Sequence, residues 1–316
     1  MDGKNKYIKF KIAERFGFNM VMLMNINIDT GNRRYMDIKI NPRKMFHPYD
    51  HPFSYIAKPE ELEESYFKIQ VFLDDAGITE INSGMFYLHR VDYCVNMDLG
   101  SSVMVQEYMR LMKKGAYPYS SKRLQEYSKS RKRYIPTKNS FSVLSKSFEF
   151  SIYDKQGQLS DEGEKYSEDE IEEAKGLVRI ELRIARSKIR AEEKKNECTE
   201  ALDFLRETDK IAKDNIPRYL SMTYGTGKFV RYKAAKQIIM ESSCHKKTKN
   251  DMMDILKMAS KKNLQFVKSQ FSEHFHYYMD IFNKLGISPI TLASDSKVLE
   301  MQNPLFYIEH NNRNYY

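Results

Sequence analysis

Four short stretches of the chain alternate strictly between polar and apolar residues, the period of a β-strand that buries one face. Met36, Ile38 and Ile40 oppose Tyr35, Asp37, Lys39 and Asn41. His89, Val91, Tyr93, Val95 and Met97 oppose Arg90, Asp92, Cys94 and Asn96. Phe148, Phe150 and Ile152 oppose Glu149, Ser151 and Tyr153. In Leu177 to Ala185, the apolar Val178, Ile180, Leu182 and Ile184 oppose Arg179, Glu181 and Arg183. The first of these is the second arm of a hairpin over Met20 to Pro42, with its turn at Asp29-Thr30-Gly31-Asn32. The second stretch is expected to run as a strand from about Met85 to Met97. Strands of this kind belong to an antiparallel sheet whose apolar face packs on helices and whose other face is left for solvent or a ligand.

Helical spacing appears elsewhere. Pro59 opens a helix carrying Leu62, Tyr66, Ile69 and Leu73, and Gly77 follows its end. From about Ser187 the pattern becomes helical. Ile189 to Lys213 is highly charged, with a narrow stripe of Ala201, Leu202 and Leu205. Asn215-Ile216-Pro217 and Gly225-Thr226-Gly227 read as breaks, and Phe229 to Met240 and Met252 to Phe282 as further helices. Beyond Gly286 there is little periodicity. The expected fold class is α+β: an antiparallel sheet with helices on one face over residues 1–190, a helical region over 191–285, and a tail over 286–316.

Composition narrows the class. Over 316 residues, 41% hydrophobic and 30% charged, the chain is globular. No apolar run approaches the ~20 residues that span a bilayer, and the start has no continuous apolar segment after its charges, so no membrane partner is expected. Cys94, Cys198 and Cys244 are isolated and odd in number, which points to a reduced, cytoplasmic protein without zinc spacing. The net charge of +9 is local. Arg110 to Lys146 holds eleven basic residues against one acid, Glu126, and its sharpest run is Lys129, Arg131, Lys132 and Arg133. Tyr117, Tyr119, Tyr127 and Tyr134 are interleaved there. Cations neutralise phosphates and aromatic faces stack on unpaired bases, so a nucleic-acid strand is the expected ligand; a solvated basic loop has the same composition.

Two carboxylates brought together from different strands, Asp92 and Glu181, can hold Mg²⁺ or Mn²⁺, and a tyrosine beside them, Tyr153, can attack phosphorus. The segments Arg34-Tyr-Met-Asp-Ile-Lys-Ile-Asn-Pro42, His89-Arg-Val-Asp92, Phe150-Ser-Ile-Tyr-Asp-Lys155 and Leu177-Val-Arg-Ile-Glu-Leu-Arg183 occur in that order. Together they resemble the replication initiation factor family, the rolling-circle replication initiators of small plasmids and related relaxases of conjugative elements. Lys228-Phe-Val-Arg-Tyr-Lys233 and the helix after Asp251 resemble that family's C-terminal helices. The resemblance implies an HUH/Rep-like sheet and a DNA-nicking and DNA-joining enzyme. In it Tyr153 is the nucleophile and Asp92 and Glu181 are the metal ligands. It also implies origin recognition in the C-terminal helices, a host helicase as partner, and the dimers that some members form.

Where the family carries a glutamate on its first strand, this chain has Lys39. Asp37 or Glu149 could supply a third oxygen, or Lys39 replaces part of the metal's charge, or activity is weakened. Arg90, Arg179, Arg183, Lys39 and Lys155 are candidate phosphate contacts, and Lys155 is also expected to lower the Tyr153 pKa. Two alternatives stand beside replication initiation: mobilisation by the same chemistry, and a non-catalytic single-strand or RNA-binding protein. His274 and His276 fall on different helix faces, and Gly225-Thr226-Gly227-Lys228 lacks the upstream glycine of a phosphate-binding loop.

Overall fold

A computed structural model describes residues 5–11, 20–27, 33–46, 57–75, 77, 79, 82–128, 133–136, 139–163 and 166–310. In chain order the elements are β1 (Asn5–Lys11), β2 (Met20–Asn27), β3 (Arg33–Ile40), α1 (Pro42–Phe46), α2 (Pro59–Asp75), β4 (Arg90–Asp98), α3 (Ser102–Met112), β5 (Lys122–Arg123), β6 (Gln125–Ser128), β7 (Arg133–Pro136), β8 (Ser140–Leu144) and β9 (Phe148–Asp154). They continue with α4 (Lys155–Asp161), α5 (Glu168–Glu173), β10 (Leu177–Ala185), α6 (Arg186–Lys195), α7 (Ala201–Arg206), α8 (Thr208–Tyr224), β11 (Phe229–Val230), α9 (Tyr232–Glu241), α10 (Lys246–Lys261), α11 (Leu264–Phe271), α12 (Phe275–Lys284), β12 (Glu300–Met301) and α13 (Pro304–His310). No helix among the described residues is long and apolar enough to cross a membrane.

The chain forms two compact units. One comprises residues 1–87 with 193–209, and the other 88–192 with 210–315. In the first, β1, β2 and β3 form an antiparallel sheet in that order, and the expected hairpin pairs Met20 with Ile40. Its turn, residues 28–32, lies outside the described residues. The helix expected from Pro59 is α2, and it buries Tyr66, Ile69, Phe72 and Leu73 at helical spacing. Its Tyr66 hydroxyl donates to the Ser83 carbonyl at 2.7 Å.

The second unit is built on a five-stranded antiparallel sheet ordered β4-β10-β9-β8-β5. This confirms an α+β architecture on an antiparallel sheet. One face is the core. Tyr93, Val95 and Met97, Phe141 and Val143, Phe148, Phe150 and Ile152, and Val178, Ile180, Leu182 and Ile184 are all buried. Helix α3 packs on β8, β9 and β10. From α8, the Tyr219 ring meets Phe148 edge-on at 4.7 Å between centroids and Phe150 at 5.9 Å.

Four expectations are corrected. The strand predicted from Met85 begins at Arg90, because Ser83–Met85 closes a 3₁₀ turn. Pro217 lies inside α8 and does not break it; the helix buries Ile216, Tyr219 and Leu220, and Asn215 Nδ2 donates to the Ile211 carbonyl at 2.9 Å. The long helix expected over Met252 to Phe282 is interrupted at Asn263, whose side chain accepts from the Phe266 amide at 2.8 Å and starts α11. The tail is part of the fold. β12 pairs with β11, and Ile287, Ile290, Leu292, Met301 and Ile308 are buried. Gly227 permits this closure, since a Cβ there would stand 2.2 Å from the Ile287 carbonyl carbon.

Two stability predictions follow from this packing. Phe150→Ala empties a fully buried position on the central sheet and should cost about 3–5 kcal/mol in urea unfolding. Gly227→Ala should cost about 1–3 kcal/mol by overpacking against the Ile287 backbone, and an unchanged urea midpoint would contradict that contact.

Candidate functional site

The polar face of the five-stranded sheet is organised by the register of β10. Arg179 stands between Asn96 and Tyr153, Glu181 between Cys94 and Ser151, and Arg183 between Asp92 and Glu149. Adjacent positions across an antiparallel sheet bring side chains within ~5 Å, so ionisable groups on this face must neutralise one another. Three strands thus bring Arg90, Asp92, Glu149, Tyr153, Arg179, Glu181 and Arg183 together from residues as far apart as 90 and 183.

Tyr153 Oη donates to Glu181 Oε1 at 2.6 Å. Burial and then the Glu181 charge push the Tyr153 pKa well above its ordinary value. Arg179 Nε donates to Asn96 Oδ1 at 2.8 Å, and its guanidinium interacts electrostatically with Tyr153 on the neighbouring strand. Burial works against the Arg179 charge, yet Cys94, Tyr153 and Glu181 around it hold its pKa above the usual value. Burial raises the pKa of the Cys94 thiol on the same face.

Lys155 opens α4 two residues after Tyr153, behind the N-cap Asp154, and is 5% exposed. Its ammonium donates to Gln158 Oε1 at 2.7 Å and lies 6.0 Å from the centroid of the Tyr153 ring. Desolvation, with Arg179 nearby, lowers its pKa to about 8. The expected lowering of the Tyr153 pKa by Lys155 is therefore corrected. The hydroxyl bonds to a carboxylate, and burial dominates both groups.

At the other end of the face, Arg183 Nη1 donates to Glu149 Oε2 at 2.7 Å and its Nε to Asp92 Oδ2 at 3.2 Å. Arg90 Nε donates to Asp92 Oδ1 at 2.6 Å, and Arg90 Nη2 pairs with Asp92 Oδ2. Asp92 is 39% exposed there, whereas Asn96, Ser142 and Ser151 are buried. The face expected to be open is open at the Asp92 end and closed toward β8.

The metal expected on Asp92 and Glu181 is a poor fit to this arrangement. Both oxygens of Asp92 accept from guanidinium groups, and Glu181 accepts from Tyr153. Among the described residues, no three His, Cys, Asp or Glu side chains gather as a metal would require. Of the candidates for a third oxygen, Glu149 shares Arg183 with Asp92, while Asp37 is on β3 in the separate three-stranded sheet. Lys39 is on that same strand and is exposed.

The basic segment is divided. Lys129, Arg131 and Lys132 lie outside the described residues, and Arg133 is the first residue of β7, which pairs with β6. Some of the segment's charge and aromatic surface is used internally. Arg123 lies over the Phe141 ring at 4.4 Å and donates to the Ser140 carbonyl at 2.8 Å. Lys114 donates to the Ser260 carbonyl at 2.9 Å. Tyr119, at φ 51°, packs edge-on against Phe148 and Tyr219.

Sequence reasoning missed Asn96 and Gln158, the partners of Arg179 and Lys155. Asn96 was already on the polar face by alternation; its pairing with Arg179 depends on which strands are neighbours. Strand β8 was also missed, although Ser140 and Ser142 alternate with Phe141 and Val143. No family model, curated protein or solved structure matches the chain.

The Tyr153–Glu181 bond has a direct thermodynamic test. A double-mutant cycle of Tyr153→Phe and Glu181→Gln should show a coupling of about 1–3 kcal/mol in urea unfolding. Additive effects would mean that the two groups do not bond in solution.

Proposed function

We propose that the second unit is a Rep-like nicking and joining domain acting on single-stranded DNA, with Tyr153 as its nucleophile. The observation that carries this reading is the 2.6 Å bond from the Tyr153 hydroxyl to Glu181, on a sheet face that also holds Arg179 and Arg183, with Lys155 at its edge on α4. Glu181 accepts the phenolic proton as Tyr153 Oη attacks a phosphodiester. The P–O3′ bond breaks, the departing 3′ oxygen takes a proton from Lys155, and a 5′-phosphotyrosyl bond forms. Arg179 and Arg183 offset the charge developing on phosphorus. Because the phosphotyrosine conserves the energy of the broken bond, the reverse attack by a 3′-OH rejoins the strand. The order of the sequence motifs supports the same reading and points to initiation of rolling-circle replication, with mobilisation by the same chemistry as the second biological setting.

The half-buried Tyr153, whose pKa burial and the Glu181 charge raise, favours one other reading, a non-catalytic single-strand binder. Supercoiled plasmid carrying the coding sequence and its flanking DNA separates the two. The enzyme should form a DNA adduct that survives denaturant and is lost on protease digestion, with a free 3′-OH, and Tyr153→Phe should abolish the adduct while retaining DNA binding. Binding without any adduct would establish the non-catalytic reading. Adduct formation by Tyr153→Phe would instead remove Tyr153 as nucleophile.

The basic segment generates a separate prediction. Changing Lys129, Arg131, Lys132 and Arg133 to Gln should weaken binding to single-stranded oligonucleotides. In fluorescence anisotropy the salt slope should flatten by about 0.7 for each phosphate contact removed. An unchanged slope would place the strand elsewhere.

A further inference from the structure

We infer that Arg183 occupies the position between Asp92 and Glu149 that a divalent ion would take, so that guanidinium groups supply the charge on this face. The inference rests on the proposed nicking reading for its catalytic consequence, and on geometry alone for its structural one. Arg183 is placed by pairing, since its neighbours across β10 are Asp92 on β4 and Glu149 on β9. A guanidinium offers five N–H donors in a rigid fork, and here Nη1 and Nε reach one carboxylate on each side, at 2.7 and 3.2 Å.

A metal ion at the same place would have to take Asp92 from two arginines at once, because Arg90 also pairs with both of its oxygens. It would find little negative charge to reward it. Arg90, Arg179, Arg183 and Lys155 stand among Asp92, Asp98, Glu149 and Glu181 on this face and its border, so its carboxylates are already matched by fixed cations. Hard divalent ions need several free carboxylate oxygens, and those of Asp92 are already held by guanidinium groups.

The arginine is also placed to receive a phosphate. Its side chain is 33% exposed, and Nη2 makes no hydrogen bond among the described residues. Two acids therefore hold Arg183 from within the face while its outer nitrogen is available to a phosphodiester oxygen. Arg183 is then a phosphate-binding residue, and Asp92 and Glu149 are positioning residues that act through it.

Mn²⁺ titration of the full chain, read by calorimetry and by the loss of the free-ion electron paramagnetic resonance signal, tests the structural half without any DNA. Wild type should show no saturable Mn²⁺ site. Arg183→Ser should gain one, and adding Asp92→Asn should remove it. If Arg183→Ser does not fold, Arg183→Gln, which keeps the bulk and loses the charge, is titrated in its place. A wild-type site lost in Asp92→Asn overturns the inference, as does a folded, uncharged variant that gains none.

The catalytic half is read by adduct formation on the same plasmid in EDTA and in Mg²⁺. Equal adduct yields support guanidinium chemistry, and adduct only with metal overturns it. If no adduct forms under either condition, the nicking reading fails while the Mn²⁺ result still decides the role of Arg183.

Discussion

The apolar half of β10 is the constraint on which the second unit depends. Val178, Ile180, Leu182 and Ile184 are fully buried against helices, so Arg179, Glu181 and Arg183 must stand on the opposite face. A strand with neighbours on both sides offers each of these ions a partner on either hand. Packing therefore creates the electrostatic problem that Asn96, Tyr153, Asp92 and Glu149 solve. A slip of one residue would drive three charges into the core, which fixes the register firmly.

The same face holds two environments. Near Tyr153, Arg179 and Lys155 the side chains are largely desolvated, and the shifted pKa values of Tyr153 and Lys155 have burial as their leading cause. Near Asp92 and Arg90 solvent reaches the ion pairs and screens them. On the proposed reading, a phosphodiester approaching from the open end would meet exposed guanidinium groups before the half-buried tyrosine.

Much of this was legible in the chain because alternation is a local property. The strands of Tyr153 and Glu181 and the helix from Pro59 follow from a period of two or of 3.6, and the structure places them within a residue or two of expectation. The failures lie where tertiary contacts overrode local signals. Pro217 stays within α8 because the surrounding residues are buried, and the tail after Gly286 is ordered by pairing with Phe229 and Val230. The short strand β8 was hidden within a segment whose dominant feature was its charge.

The sequence by itself determined which residues face the core and which face outward, and it placed Tyr153, Asp92 and Glu181 on polar faces. It did so because a side chain's face depends on the residue's own parity along the strand. Only the tertiary structure decided that Glu181 bonds to Tyr153, that Arg183 separates Asp92 from Glu149, and that Asp37 and Lys39 belong to another sheet. Those facts depend on strand neighbours and register. Both are set by the packing of residues tens of positions apart, which no short motif encodes.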